Sequence, residues 1–234
     1  MASIAGQGVA RDVVARTVAP DVGFPGRTVT GFCMIVAPLL AIIGSLLPIG
    51  IYHAKGADFV AGMAAHHLRT GFAFNFAVGG MMLMIFAVAG VAQAIASVRP
   101  RLGQAGGVIA IIGICGPLFF NGTYFGGYQL TDPSTQAIAG KMIDHAQIIP
   151  SSIISISGPA LVIGFILLGI GAAKAGVLRR WQAWALGITC LTPVGFISGF
   201  IVIAALGYVA TTLALLPLGL RLLRGQDVSA AASA

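Results

Sequence analysis

Apolar residues fall into long uninterrupted runs along this chain, and polar or charged positions are confined to the breaks between them. The runs cover residues 29–51, 72–95, 106–125, 152–173 and 181–220. Each of the first four is close to the roughly 20 residues that a helix needs to cross the hydrocarbon of a bilayer. The fifth is too long for one crossing. At 1.5 Å per residue its roughly 40 residues would make a helix of about 60 Å, twice the hydrocarbon thickness, so two spans joined by a tight turn near residues 198–201 are expected. The pattern predicts an all-α integral membrane bundle of six transmembrane helices over residues 27–223. Small and polar tails flank it, 1–26 and 224–234, which are expected to be disordered and cytoplasmic.

Two of the breaks are long enough to hold structure of their own. Residues 57–70 and 133–147 are helix-compatible, with Asp58 and the stretch from Asp132 to Ser134 as N-terminal caps. Both stretches are small and moderately amphipathic, so they are expected to lie along the outer interface before the chain re-enters the membrane.

Composition strengthens the membrane reading. Of 234 residues 58% are hydrophobic and 8% charged, against about 25% charged in a soluble domain. There is no Glu, and the six acids are all Asp. Lipid is therefore the main solvent for these side chains. The net charge of +7 does not indicate nucleic acid, because the 13 Lys and Arg are scattered in ones and twos at the ends of apolar runs.

Their distribution is a topology signal instead. With the N-terminus in the cytoplasm, the inner segments hold Arg11, Arg16, Arg27, Arg99, Arg101, Lys174, Arg179, Arg180, Arg221 and Arg224, while the outer ones hold only Lys55, Arg69 and Lys141. Five spans would move Arg221 and Arg224 outside and weaken the asymmetry, so six spans with both termini cytoplasmic are preferred. Trp181 and Trp184 then sit where interfacial aromatics belong. The polar lead with Arg11, Arg16 and Arg27 lacks the layout of a signal peptide, so the first helix reads as retained. Cys33, Cys115 and Cys190 lie in apolar runs without a C-x-x-C pair and read as small buried hydrophobes.

A faint internal repeat runs through the spans. Arg27, Cys33, Pro38 and Gly44 are echoed by Arg101, Cys115, Pro117 and Gly122, and by Arg180, Cys190, Pro193 and Gly199. His67 and His145 precede the second and fourth spans, and the sixth has no counterpart. Three repeated helical hairpins would account for this layout.

Candidate chemistry gathers on the outer side, which holds all four histidines, His53, His66, His67 and His145, together with Asp58, Asp132 and Asp144. Imidazole suits zinc, copper or haem iron, and Asp144 could join or orient such a site, so His66, His67, His145 and Asp144 are the candidate metal ligands. Adjacent histidines diverge on a helix, so only one of His66 and His67 would face the same partner as His145. The competing reading is that these are interfacial residues in contact with water and head groups.

Polar side chains continue into the outer half of the membrane at Asn75, Asn121, Thr123, Tyr124, Ser151, Ser152, Ser155 and Ser157. Unpaired amides are costly in lipid, so Asn75 and Asn121 are expected to face the interior and bond to one another or to a cavity. An outward-facing polar pocket built from Asn75, Asn121, Tyr124, Asp132 and Ser152 follows. Met81, Met82 and Met84 read as packing or lipid contact, and Pro38, Pro117 and Pro193 as sites of kinking.

No charged residue or histidine lies in the middle of a span, which disfavours a proton pump or an ion-coupled transporter. Nucleotide-binding, zinc-protease and serine-hydrolase motifs are missing from the sequence, as is a cluster of paired carboxylates.

The stretch FVAGMAAHHLR at residues 59–69 and the stretch AGVLRRWQAW at 175–184 resemble a group of small actinobacterial multi-pass membrane proteins of unknown function. That resemblance implies six helices and a bacterial cytoplasmic membrane, and it brings no activity. The leading expectation is a binding or accessory membrane protein whose outer pocket takes a small or amphiphilic ligand, in contact with lipids and with a homo-oligomer or larger complex as partner. A metal or haem enzyme and an uncoupled transporter or exporter component are the alternatives.

Overall fold

The computed structural model describes residues 25–51, 56–146, 151–198 and 201–226, with the side chains of 145, 146, 151–154 and 196–198 outside that description. Among the described residues all regular structure is helical: α1 (Arg27–Leu46), α2 (Gly56–Ala65), α3 (His67–Ala96), α4 (Pro100–Tyr128), α5 (Gln136–Ala146), α6 (Ser151–Ala175), α7 (Arg180–Ile188), α8 (Leu191–Ser198) and α9 (Ile201–Leu223). Five of these, α1, α3, α4, α6 and α9, are long and apolar enough to cross a membrane.

The long helices close into a ring. α1 packs on α3, α3 on α4, α4 on α6, α6 on α7, the α7 and α8 pair on α9, and α9 back on α1. Glycines bring these backbones together: a methyl group at Gly80 of α3 would lie 2.8 Å from the Ala41 nitrogen of α1, and one at Gly31 of α1 would lie 2.8 Å from the Gly219 carbonyl of α9. Such close approach lets dispersion and backbone contacts hold helices together where no hydrophobic driving force acts between them.

The contacts also set direction. Arg27 reaches Gln226 and Gly31 lies against Leu222, so α1 and α9 are antiparallel. Gly90 meets Thr30 while Gly44 meets Ala77, so α1 and α3 are antiparallel too, as are α4 and α6 through Gly106 with Leu168 and Gly116 with Ser157. The first residues of α1 and the last of α9 therefore share one end of the bundle, here the terminal end. α2 and α5 cover the other, the cap end.

Met34, Val88, Ile95, Phe165, Leu168, Leu186 and Leu215 fill the middle of the ring. Val29, Phe32, Phe72, Val108, Ile163 and Val202 face outward and are exposed. So much outward apolar surface on five long helices belongs to a protein embedded in a membrane.

Several boundaries differ from the sequence pattern for identifiable reasons. The turn expected near 198–201 falls on residues 199 and 200, outside the described residues, with α8 ending at Ser198 and α9 starting at Ile201. The helix ahead of it, however, is interrupted at Thr189 and Cys190. Pro193 has no N–H for the Thr189 carbonyl and its ring crowds that group; the carbonyl is taken by the Thr192 N–H at 3.0 Å instead. Pro38 and Pro117 lie inside unbroken helices.

The stretch 57–70 is also divided, since His66 leaves helical geometry between α2 and α3. Asp58 sits within the first turn of α2, and Gly56 opens that helix with φ 57°. At the second outer stretch Asp132 is exposed, and its carbonyl accepts the Thr135 and Gln136 N–H groups ahead of α5.

Candidate functional site

Three layers stack at the cap end. The outermost is formed by α2 and α5, whose backbones meet at Gly140 and Ala57. They share a small core of Phe59, Val60, Met63, Ala139 and Ile143 with Ile51, Phe74 and Tyr128. The amphipathic stretches thus bury their apolar sides on each other and on the ends of α3 and α4.

Aromatic rings make the second layer. Tyr124 stands edge-on to Phe59 at 5.4 Å and to Phe120 at 4.6 Å, and Phe74 stands edge-on to Tyr128 at 6.0 Å. Edge-to-face pairs at these separations are the favoured arrangement of aromatic quadrupoles. At the rim, the Tyr128 hydroxyl donates to the His67 carbonyl at 3.2 Å and lies 3.1 Å from His67 Nδ1, with the two rings stacked.

One helical turn further in, from Phe74 to Ala77 and from Tyr124 to Asn121, is a void lined by Ala41, Gly44, Ser45, Ala77, Met81, Asn121 and Tyr208. Its volume of ≈ 10 Å³ is about what one water molecule needs. Three hydrogen-bonding side chains from three helices, Ser45 of α1, Asn121 of α4 and Tyr208 of α9, converge on it. Asn121 Nδ2 donates to the Pro117 carbonyl at 2.9 Å and approaches Met81 Sδ at 3.7 Å. Ser45 Oγ donates to the Ala41 carbonyl at 2.8 Å. Each of these two side chains is thereby bonded to its own helix four residues back, which satisfies a donor and leaves its acceptor oxygen with lone pairs to spare.

The candidate residues divide accordingly. Asn121 lines the void, and Tyr124 belongs to the aromatic layer, against Phe59 and Phe120. Asn75 does not join them: it is exposed on α3 and donates to the Gly71 carbonyl at 2.8 Å. The expectation that Asn75 and Asn121 would bond inside the bundle is corrected on this point, because a carbonyl one turn back satisfies each amide within its own helix. Asp132 is exposed beside the cap. The side chains of Ser152 and His145, and all of His53, lie outside the described residues.

The two described histidines are separately engaged. His66 is exposed at the α2 to α3 bend, His67 is engaged with Tyr128, and Asp144 Oδ2 faces Gly56 on α2. Among the described residues no group of three His, Cys or Asp side chains stands close enough to hold a metal ion.

Ser45, Met81 and Tyr208 were missed as pocket residues. A lone tyrosine and a lone serine in apolar runs carry a weak signal, and only the ring closure of α9 on α1 brings them beside Asn121. Comparison with protein families, curated proteins and solved structures finds no match to this chain.

Proposed function

We propose that this chain is a six-pass protein of the bacterial cytoplasmic membrane, with both ends inside, that binds a small amphiphilic ligand from the outer face through the polar chamber under its cap. The observation that carries the reading is that Ser45, Asn121 and Tyr208, from three different helices, line one void inside the ring.

Helix direction supports six passes. α6 runs antiparallel to α4 and so in the same sense as α3; α9 runs antiparallel to α1 and so in that sense as well. Two helices of the same sense need a return between them, and α7 with α8 supplies it, antiparallel to α9 through Thr189 with Thr211 and Gly195 with Ala204. From Arg180 to Ser198 this pair rises about 28 Å, near the hydrocarbon thickness.

Charge supports the orientation. The terminal end carries Arg27, Arg99, Arg101, Lys174, Arg179, Arg180, Arg221 and Arg224, whereas Arg69 and Lys141 are the described basic residues of the cap end. Contacts also support three repeated hairpins. The residue ahead of each proline meets a small residue on its return helix: Ala37 with Gly80, Gly116 with Ser157, Thr192 with Gly207.

The chamber has room for about one water molecule in this structure, so binding requires it to widen, and in this reading the aromatic layer of Phe59, Phe74 and Tyr124 parts from below the cap to admit the ligand. An amphiphile would place its polar group among Ser45, Asn121 and Tyr208 and its chain along Met81. Photolabelling with a diazirine-bearing octanol, mapped by peptide mass spectrometry, tests this. Saturable labelling at Met81, Asn121 or Tyr208, reduced in Asn121→Leu, is expected. Labelling confined to lipid-facing residues, without saturation, would contradict it.

A further inference from the structure

The terminal end has a charge pattern that the outward-facing chamber does not use. Gly171, near the end of α6, packs against Ile95 of α3 and Leu102 of α4, with a methyl group there 3.0 Å from the Ile95 side chain and 3.6 Å from Leu102. α7 leans on α6 through Gly169 and Ala183, where the Ala183 carbonyl would lie 2.7 Å from a methyl at Gly169. The two short connections between these four helices therefore sit side by side.

They carry Arg99 and Arg101 on one and Lys174, Arg179 and Arg180 on the other, all five exposed. The described acidic side chains, Asp58, Asp132 and Asp144, are all at the cap end, so none of them offsets this charge. Directly beside it, one turn apart on α7, Trp181 and Trp184 are 53% and 77% exposed, while Gln182, Ala183 and Leu186 turn inward. Indole rings of this exposure next to a basic cluster suit the boundary between head groups and acyl chains.

We propose that the terminal ends of α3, α4, α6 and α7 form a docking site for an anionic phospholipid, with its phosphate among the five basic side chains and its acyl chains against Trp181 and Trp184. Charge complementarity selects the occupant: guanidinium groups match phosphate oxygens bidentately, and a zwitterionic head group would return a positive charge to a site already rich in it. Basic pockets between helices on the cytoplasmic side recognise anionic head groups on this ground. The inference rests on the membrane placement proposed above.

Trp181 and Trp184 are the chain's only tryptophans, so its intrinsic fluorescence reports on this patch alone. The protein is reconstituted in phosphatidylcholine vesicles holding a fixed mole fraction of either brominated phosphatidylglycerol or brominated phosphatidylcholine, since bromine quenches tryptophan on contact. The expected result is a preference for the anionic lipid of about fivefold or more, the effect of a single basic contact near a membrane surface. The variant R99Q/R101Q/K174Q/R179Q/R180Q should lose that preference while brominated phosphatidylcholine quenches it as before, which shows that its tryptophans still face lipid. Equal quenching by the two lipids in the native protein would overturn the proposal, as would a preference that survives in the variant. So would its abolition by excess inorganic phosphate at matched ionic strength, because the site would then belong to a soluble anion. Both leaflets carry the probe lipid, so the result stands whichever way the bundle faces; a wrong topology shows in labelling and a wrong lipid site shows here.

Discussion

Arg69 stands on the side of the bundle where basic residues are scarce, and its contacts explain why. Its guanidinium donates to the carbonyls of Leu47 and Ile49, just past the C-terminus of α1, where α-helical carbonyls lack partners and the dipole favours a cation. Arg27 does the same for the far end of the ring, donating to the Gln226 carbonyl at 2.7 Å beyond α9. Arg69→Gln is expected to lower stability by about 1 kcal/mol, the usual worth of a charged cap at an exposed site, read as a fall in thermal midpoint in mild detergent. No change would mean that the contact contributes nothing. Thr211 offers a second test inside the bundle, its hydroxyl lying 2.6 Å from that of Thr189. Thr211→Val should cost roughly 0.6 kcal/mol or somewhat more, as interhelical hydroxyl bonds do in membranes; a stabilised variant would contradict the pairing. At this scale the sequence was only partly informative. Asn121 could be placed at a pocket because an amide in lipid needs a partner, yet the same argument misplaced Asn75, since it ignores the carbonyl one turn back.

Element boundaries were legible wherever length and charge decide them. Apolar runs near 20 residues became α1, α3, α4 and α6, and the run too long for one crossing became α7, α8 and α9, with α8 antiparallel to α9. The interruption at Thr189 was not legible, because Pro38 and Pro117 sit in similar surroundings and leave their helices intact. Docking of α2 on α5 was equally hidden: each stretch reads as an interfacial helix, and their mutual contact depends on Gly140, whose hydrogen lets the Gly56 and Ala57 backbone approach. Gly140→Val should force the two apart, at about 1 to 3 kcal/mol for overpacking a close contact. Hydrogen exchange should then speed up in α2 and α5 while the middle of α3 and α4 keeps its protection. Uniform loss of protection along α3 and α4 would show that the cap is not a separate layer.

For the molecule as a whole, composition was enough to establish the class and insufficient to find the site. Fifty-eight percent hydrophobic residues and a charge share of 8% leave lipid as the solvent, but Ser45, Asn121 and Tyr208 are far apart in the chain and meet only because α9 closes on α1. The proposals for pass number, orientation and ligand access from the outer face all depend on how this ring sits in the membrane, which makes topology the point to test. With Cys33, Cys115 and Cys190 replaced by serine, single cysteines at Ser134, on the cap, and at Gln104 and Gln226, on the terminal end, are exposed to a membrane-impermeant maleimide in intact cells. Six passes with both ends inside predict labelling at Ser134→Cys from outside, and at Gln104→Cys and Gln226→Cys only after permeabilisation. Labelling of Gln226→Cys from outside, with Gln104→Cys still protected, would mean an odd number of passes and contradict the account.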